Sequence, residues 1–178
     1  MNVSKIVLIA LIAFDLFFLI LAANHYSLVA LGSASFLFII TVNLVLLLAW
    51  AIGKKLNRGL VLIFSFVGFG FLFVQSFLFI LTPTTFDSVS SPSGSEKVYI
   101  EHRNFSLGET SYSYNFYQRK GKVFMKELVD QNQLLVTRDN LPGGANDIKM
   151  LGLDVPHWIN EKEVRFNSRQ GTITIHLD

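Results

Sequence analysis

The 178-residue chain has no cysteine and very little charge in its first half. Without cysteine, the chain can have no disulfide bonds, cysteine-ligated zinc or thiol catalysis. Residues 1–82 contain five charged side chains, which are Lys5, Asp15, Lys54, Lys55 and Arg58. A water-soluble domain needs a polar surface, so a segment of this length with so little charge indicates a lipid environment.

The net charge is small in both halves. The chain carries a formal charge of +2, to which residues 1–82 contribute +3 (four basic side chains and one acidic) and residues 83–178 contribute −1. Neither half is basic enough to favour nucleic-acid binding. We therefore expect no nucleic-acid partner, and the lipid bilayer is the first partner that the composition indicates.

Three apolar segments are long enough to cross a bilayer, whose core of about 30 Å requires about 20 helical residues. They cover residues 6–23, 31–52 and 60–81. Short polar breaks separate the segments. The sequence thus predicts that residues 1–82 form three transmembrane helices of a multi-pass membrane protein.

The basic residues predict the orientation of these helices. Lys54, Lys55 and Arg58 lie in the second break and Lys5 precedes the first segment, whereas the first break has neither Lys nor Arg. Loops rich in Lys and Arg stay in the cytoplasm. We expect a cytoplasmic N-terminus and an extracytoplasmic C-terminal domain. If residues 1–23 were instead a cleaved signal peptide, the C-terminal domain would still lie outside.

The side chains with a carboxyl or amide group inside the predicted spans are Asp15, Asn43 and Gln75. An ionisable group at the bilayer centre costs about 2.5–3.5 kcal/mol, so Asp15 should face other helices. Asp15 and Asn43 lie about 15–16 Å from the basic end of their helices, so their depths match. The pair could join helices or recruit a partner helix, or Asp15 could be the proton- or ion-responsive carboxylate of a transporter. Gln75 lies nearer the outer face.

The second half has a different pattern. Residues 83–95 are rich in Ser, Thr, Pro and Gly and predict a linker. Residues 96–178 contain short, β-prone and often alternating segments, at 97–101, 112–117, 122–126, 133–137, 163–167 and 172–176. They predict a small antiparallel all-β domain of five to seven strands, folded as a sandwich or an open barrel.

No catalytic signature is present in this domain. Its histidines, His102, His157 and His176, are isolated in sequence, and neither H-E-x-x-H nor G-x-S-x-G occurs. We expect a protein that is not an enzyme and that has no cofactor and no metal. A zinc site assembled in space from the three histidines is the alternative.

A run of aromatic residues is the candidate binding surface of the domain, and it comprises Tyr112, Tyr114, Phe116 and Tyr117. Successive residues of a strand face opposite sides of a sheet, so one core cannot cover all four. The exposed members could contact a partner, since aromatic residues are enriched at interfaces. The alternative is that a second layer covers the other face.

The domain opens with Ser91-Pro92-Ser93-Gly94 and closes with Pro156-x-Trp158 followed by Val164-x-Phe166. With its β-rich middle, the region 91–178 resembles extracytoplasmic domains of uncharacterised small membrane proteins and lipoproteins of Gram-positive bacteria. Those domains open with Ser-Pro-Asp/Asn-Gly, and Ser93 replaces the acid or amide. The resemblance implies a bacterial plasma membrane.

These observations lead to one hypothesis and two alternatives. The leading hypothesis is a membrane-anchored, non-enzymatic module whose β domain binds a protein or a cell-envelope component, and whose helices anchor it or pair with another membrane protein. One alternative is a small transporter or channel subunit that uses Asp15 and Asn43. The other is an immunity or toxin-resistance protein that protects the membrane of its host.

Overall fold

The computed structural model describes residues 3–81, 84–107, 109–137 and 147–178. The chain forms two compact units, Met1–Leu81 and Thr82–Asp178. The first unit is helical, and the second consists mainly of antiparallel strands. The fold class predicted from the sequence is confirmed.

The first unit contains three long apolar helices: α1 (Val3–Ala23), α2 (Ser35–Gly53) and α3 (Arg58–Leu81). Their most apolar 18-residue windows have mean hydropathies of 3.0, 2.5 and 2.2, and none of the residues in those windows is buried within the protein. Helices of this length with apolar exposed surfaces fit a bilayer and not water. The chain is a membrane protein with three helices long enough to span.

Local sequence sets the helix starts. Between α1 and α2 lie a short strand, β1 (Tyr26–Leu28), and a 3-10 turn at Gly32–Ala34, so α2 begins four residues later than the apolar run. The α3 helix begins two residues earlier than predicted, because the Asn57 side chain caps it by accepting a hydrogen bond from the Gly59 N–H at 2.8 Å.

Small residues and aromatic rings mark where the helices pack. Gly68 of α3 packs against the Leu44 side chain of α2, since an added Cβ atom would lie 2.5 Å from Leu44 Cδ1. The Phe38 ring of α2 lies 6.3 Å from the rings of both Phe14 and Phe18 of α1, centroid to centroid. Consecutive helices are therefore neighbours in the unit.

Within its described residues, the second unit contains eight strands, more than the five to seven predicted, together with one short α-helix and a 3-10 turn at Val129–Gln131. The strands and the α-helix are β2 (Thr85–Ser90), β3 (Lys97–Leu107), β4 (Glu109–Lys120), β5 (Phe124–Glu127), β6 (Gln133–Thr137), α4 (Asp147–Leu151), β7 (His157–Asn160), β8 (Glu163–Ser168) and β9 (Gly171–His176). One sheet has the order β5-β4-β3-β2, with β6 beside the first half of β4, and the other has the order β7-β8-β9. The strands described here do not close into a barrel.

The core lies between the two sheets and beneath α4. Alternating residues of β3 and β4 point into it, and the Phe116 ring of β4 lies 5.9 Å from the Phe166 ring of β8. Met150 and Leu151 of α4 are fully buried beside them. This alternation of buried and exposed residues is the period of two that the sequence displays.

One buried amide ties distant parts of the domain together. The Gln118 side chain donates hydrogen bonds to Glu96 Oε2 at 3.0 Å and to the Asp178 main-chain oxygen at 3.2 Å. It also accepts one from the Asp178 N–H at 3.1 Å. The Gln118 side chain is 1% exposed, and both of its polar atoms are thereby hydrogen-bonded.

Gly152 ends α4 in a conformation that other residues rarely adopt. Its φ is +78°, and both its N–H and that of Leu153 donate to the Ile148 carbonyl oxygen, at 3.0 and 2.9 Å. An added Cβ would lie 2.6 Å from the Asn167 oxygen of β8. The glycine therefore serves both the helix end and the contact between α4 and β8.

Three elements differ from the sequence prediction. The segment expected to be a linker, 83–95, is mostly structured, because Thr85–Ser90 forms edge strand β2 and pairs with β3. Such an edge strand is held by main-chain hydrogen bonds on one side and needs few apolar side chains, so its Ser and Thr content was misleading. The strand β7 and the five-residue α4 were also missed, since neither is long enough for a clear periodicity.

Candidate functional site

Two clusters of polar residues are the candidate sites, one in each unit. In the helical unit, Asn43 Nδ2 of α2 donates a hydrogen bond to Asp15 Oδ1 of α1, and the atoms are 2.7 Å apart. The two depths matched in the sequence, and the structure brings the residues together. Gln75, the third polar residue singled out, lies partly exposed on α3 and takes no part in this hydrogen bond.

The Asp15–Asn43 pair joins two helices and has spare hydrogen-bonding capacity. Asn43 Oδ1 is buried and has no hydrogen-bond partner within the described residues. The hydrogen bond joins α1 to α2, and Asn43 Oδ1 leaves room for one further donor.

The four basic residues that set the predicted orientation lie at one end of the helical unit. Gly53, beside Lys54 and Lys55, contacts the Ser4 backbone and side chain, since an added Cβ would lie 3.6 Å from Ser4 Cβ. This contact places Lys5 of α1 near the loop that also carries Arg58. All four side chains are exposed.

Three of the four aromatic residues of β4 cannot form the binding surface that the sequence predicted. Tyr112, Tyr114 and Phe116 are at most 5% exposed and belong to the core. The prediction was wrong for these three because the second sheet and α4 cover their side of the sheet. Tyr117 faces the other side, where its hydroxyl donates to Glu101 Oε2 at 2.7 Å. It is partly exposed, and its part in binding stays a prediction.

The burial of these tyrosines also changes their acidity. Burial raises the pKa of the Tyr114 hydroxyl, and the charge of Asp147 raises it further. Burial likewise raises the pKa of Tyr117, with a further contribution from its hydrogen bond to Glu101. Both phenols are neutral hydrogen-bond donors at physiological pH.

Under α4 lies a buried histidine between two carboxylates, which the sequence did not reveal. His102 of β3 is 1% exposed, with Nδ1 lying 2.6 Å from Asp147 Oδ2 and Nε2 lying 2.8 Å from Asp87 Oδ2. The Tyr114 hydroxyl donates to the Asp147 carbonyl oxygen at 2.5 Å, and its ring stacks beside the imidazole. The period-two series Val98, Ile100, His102 was the available signal, because it places all three on the core face.

The hydrogen bonds define what this histidine can do. Both ring nitrogens have a carboxyl oxygen within hydrogen-bonding distance, so both are occupied by partners inside the domain. The side chain is 1% exposed, so neither nitrogen is accessible to a ligand from the solvent. His102 links β2, β3 and α4, and within the described ranges no group of three His, Asp or Glu side chains is placed to hold a metal.

The other two histidines and Glu161 lie at the surface of the β domain. His157 and His176 are exposed. Glu161, in the turn between β7 and β8, accepts hydrogen bonds from Ser93 and Ser95, at 2.6 and 3.0 Å from Glu161 Oε2. Hydrogen bonds from the Ser91 and Ser93 hydroxyls are the main causes that lower the pKa of Glu161 from 4.5 to about 2. The Ser-Pro-Ser-Gly segment is thus a turn between β2 and β3 that is fastened to the second sheet.

Comparison of the chain with protein-family models, curated proteins and solved structures finds no match. The resemblance of residues 91–178 to extracytoplasmic domains of Gram-positive bacteria stays a prediction.

Proposed function

We propose that the protein is a membrane-anchored, non-enzymatic module that holds its β domain outside the cytoplasm, where the domain binds a protein or a cell-envelope component. The observation that carries this proposal is that residues of the second unit supply their own closed core. A domain with its own core can present a surface without structural help from the helices. The anchoring role of the helices follows from their apolar, exposed faces.

The polar clusters support a binding role over catalysis. His102 has both nitrogens engaged, and Asp15 is held by Asn43. A general base must come within hydrogen-bonding reach of its substrate, and the buried His102 ring is not accessible to one.

The surface that we assign to partner binding lies on β6 and not on β4. Leu135 of β6 faces the core, whereas Leu134 and Val136 are 65% and 40% exposed on the opposite face. An apolar pair on an uncharged strand, Gln133–Thr137, is typical of a protein contact.

A helix-exchange experiment tests the proposal. The three helices are replaced by one unrelated transmembrane helix with a cytoplasmic N-terminus, and a photo-crosslinking residue is placed at Leu134. The same crosslinked species should form with native and exchanged helices, while a probe at exposed Val155 serves as the matched control. Loss of the species on helix exchange, in a domain that still folds, would show that the helices are part of the binding site.

Cysteine labelling tests the orientation, and the native chain provides no background thiol. We expect a Val123→Cys variant to react with a membrane-impermeant thiol reagent on intact cells, because Val123 is 54% exposed in the β domain. A Leu56→Cys variant, which removes neither a charge nor the Asn57 cap, should react only after lysis. Reaction of position 56 on intact cells would reverse the proposed topology.

A further inference from the structure

A groove lies at the basic end of the helical unit, where α2 turns into α3. It encloses about 770 Å³, and both charged and apolar side chains line it. Lys55 and Arg58 provide the charge, and Leu56, Val61 and Leu62 provide the apolar wall. A groove of this composition suits an amphiphile with a negative head.

A second, almost wholly apolar cavity of about 400 Å³ lies between α2 and α3. Its walls include Leu44, Phe64 and Gly68. Leu56 and Val61 line this cavity and the basic groove alike, so the two spaces adjoin. Together they offer a charged entrance followed by an apolar channel.

Trp50 lines the apolar cavity and gives it a spectroscopic probe. Its indole Nε1 is itself buried, so the ring and not the N–H reports on what enters the cavity. Trp50 precedes Lys54 by four residues, so it lies about 6 Å deeper along the helix axis than the basic loop.

We propose that this groove binds one anionic glycerophospholipid from the leaflet on its side of the membrane. Lys55 and Arg58 bind the phosphate, and an acyl chain fills the cavity between α2 and α3. The order of charged rim and apolar cavity is the order of phosphate and acyl chain in the lipid. The inference needs only membrane insertion, not a particular orientation or a partner of the β domain.

Lys54 provides a matched control. It is as exposed as its neighbour Lys55 and carries the same charge, but it does not line the groove. If only the net charge of the loop attracted lipid, Lys54→Gln and Lys55→Gln would weaken binding equally. A built site requires Lys55 and Arg58 in particular.

Quenching of Trp50 by brominated lipids measures binding directly. The full chain carries Trp158→Phe, so that Trp50 is its sole tryptophan. It is placed in phosphatidylcholine bilayers that contain increasing fractions of brominated phosphatidylglycerol. We expect phosphatidylglycerol to bind about 25-fold more tightly than brominated phosphatidylcholine, because each basic side chain near a membrane surface contributes about fivefold. The Lys55→Gln/Arg58→Gln variant should lose this preference, whereas Lys54→Gln should keep it within about twofold.

Two further arms test the acyl and headgroup contacts. Ala51→Phe, which narrows the apolar cavity at one of its lining residues, should weaken phosphatidylglycerol binding measured by native mass spectrometry, provided that its circular dichroism spectrum is unchanged. Soluble glycerol phosphate at millimolar concentration should not displace the lipid. Equal quenching by both lipids, an effect of Lys54→Gln as large as that of Lys55→Gln, or displacement by glycerol phosphate would each overturn the proposal.

Discussion

Asn43 donates a 2.7 Å hydrogen bond to Asp15 across the contact between α1 and α2. The donor and acceptor are 28 residues apart in the chain and lie on consecutive helices. Lipid offers no hydrogen bonds of its own, so a polar pair at this depth fixes which faces of the two helices meet.

Replacing Asp15 with Leu should therefore lower stability modestly, by about 0.6–2 kcal/mol, the usual range for helix–helix hydrogen bonds in membranes. Asp15→Asn keeps a hydrogen-bonding group and should be milder. Thermal unfolding in detergent gives the comparison, and Asn43→Leu should add little to Asp15→Leu because both remove the same bond. If the Asn and Leu variants were equally stable yet both lost the crosslinked species, the carboxylate itself would be functional.

The buried histidine makes a stronger prediction for the β domain. His102→Ala should destabilise the domain by about 3 kcal/mol, because it leaves a cavity and removes the hydrogen-bond partner of the partly buried Asp147. Asp147→Asn should cost more than Asp87→Asn, since the Asp147 side chain is 17% exposed and that of Asp87 is 46% exposed. Denaturant unfolding followed by Trp158 fluorescence, in a Trp50→Phe background, measures the losses. Exposed His157→Ala should change stability by less than about 0.5 kcal/mol.

Glu161 predicts a pH dependence whose sign is fixed by its lowered pKa. Because the folded-state pKa is about 2 and the ordinary value is 4.5, the contribution of Glu161 is complete above about pH 4.5 and is lost as the pH falls towards 2. Glu161→Gln should melt at a lower temperature than the native chain at pH 7, and the difference should shrink between pH 5 and pH 2. The control is Glu163→Gln, which makes the same change in the next strand. A difference that stays constant down to pH 2 would contradict the assignment.

Substituting two glycines that have similar φ angles distinguishes the cost of backbone strain from the cost of a steric clash. Gly152 and Gly94 have φ values of +78° and +73°, but an added Cβ at Gly94 meets nothing within 4 Å. Gly94→Ala should cost about 1–2 kcal/mol from the left-handed backbone alone. Gly152→Ala should cost clearly more, because its Cβ would collide with the Asn167 oxygen. Equal losses in denaturant unfolding would show that the α4–β8 contact can relax.

The three spans and the all-β character were predictable because long apolar runs and period-two alternation are properties of single segments. The Asp15–Asn43 pair was predictable for a related reason, since the bilayer restricts helices to parallel or antiparallel arrangements and residue counting then gives depth. The strand β2 was not predictable, because its position at the sheet edge depends on pairing with β3 and not on its own composition.

The buried cluster could not be deduced for the same reason. His102 is separated by 15 residues from Asp87 and by 45 from Asp147, and only the completed fold brings them together. The aromatic run of β4 illustrates the converse error. Its composition resembles an interface, but which face of a strand is covered is decided by a sheet formed much later in the chain.

The hydrogen bonds of Gln118 impose an order on biosynthesis. Two of its bonds are to the main chain of Asp178, which is synthesised 60 residues later. The polar atoms of Gln118 therefore cannot all be paired until that residue has been added. At translation rates of about 5–20 residues per second, that interval lasts roughly 3–12 s. During this time β4 exists without the partners that bury its core face. The nascent domain thus has a window of seconds in which its aromatic face is open to chaperones and proteases.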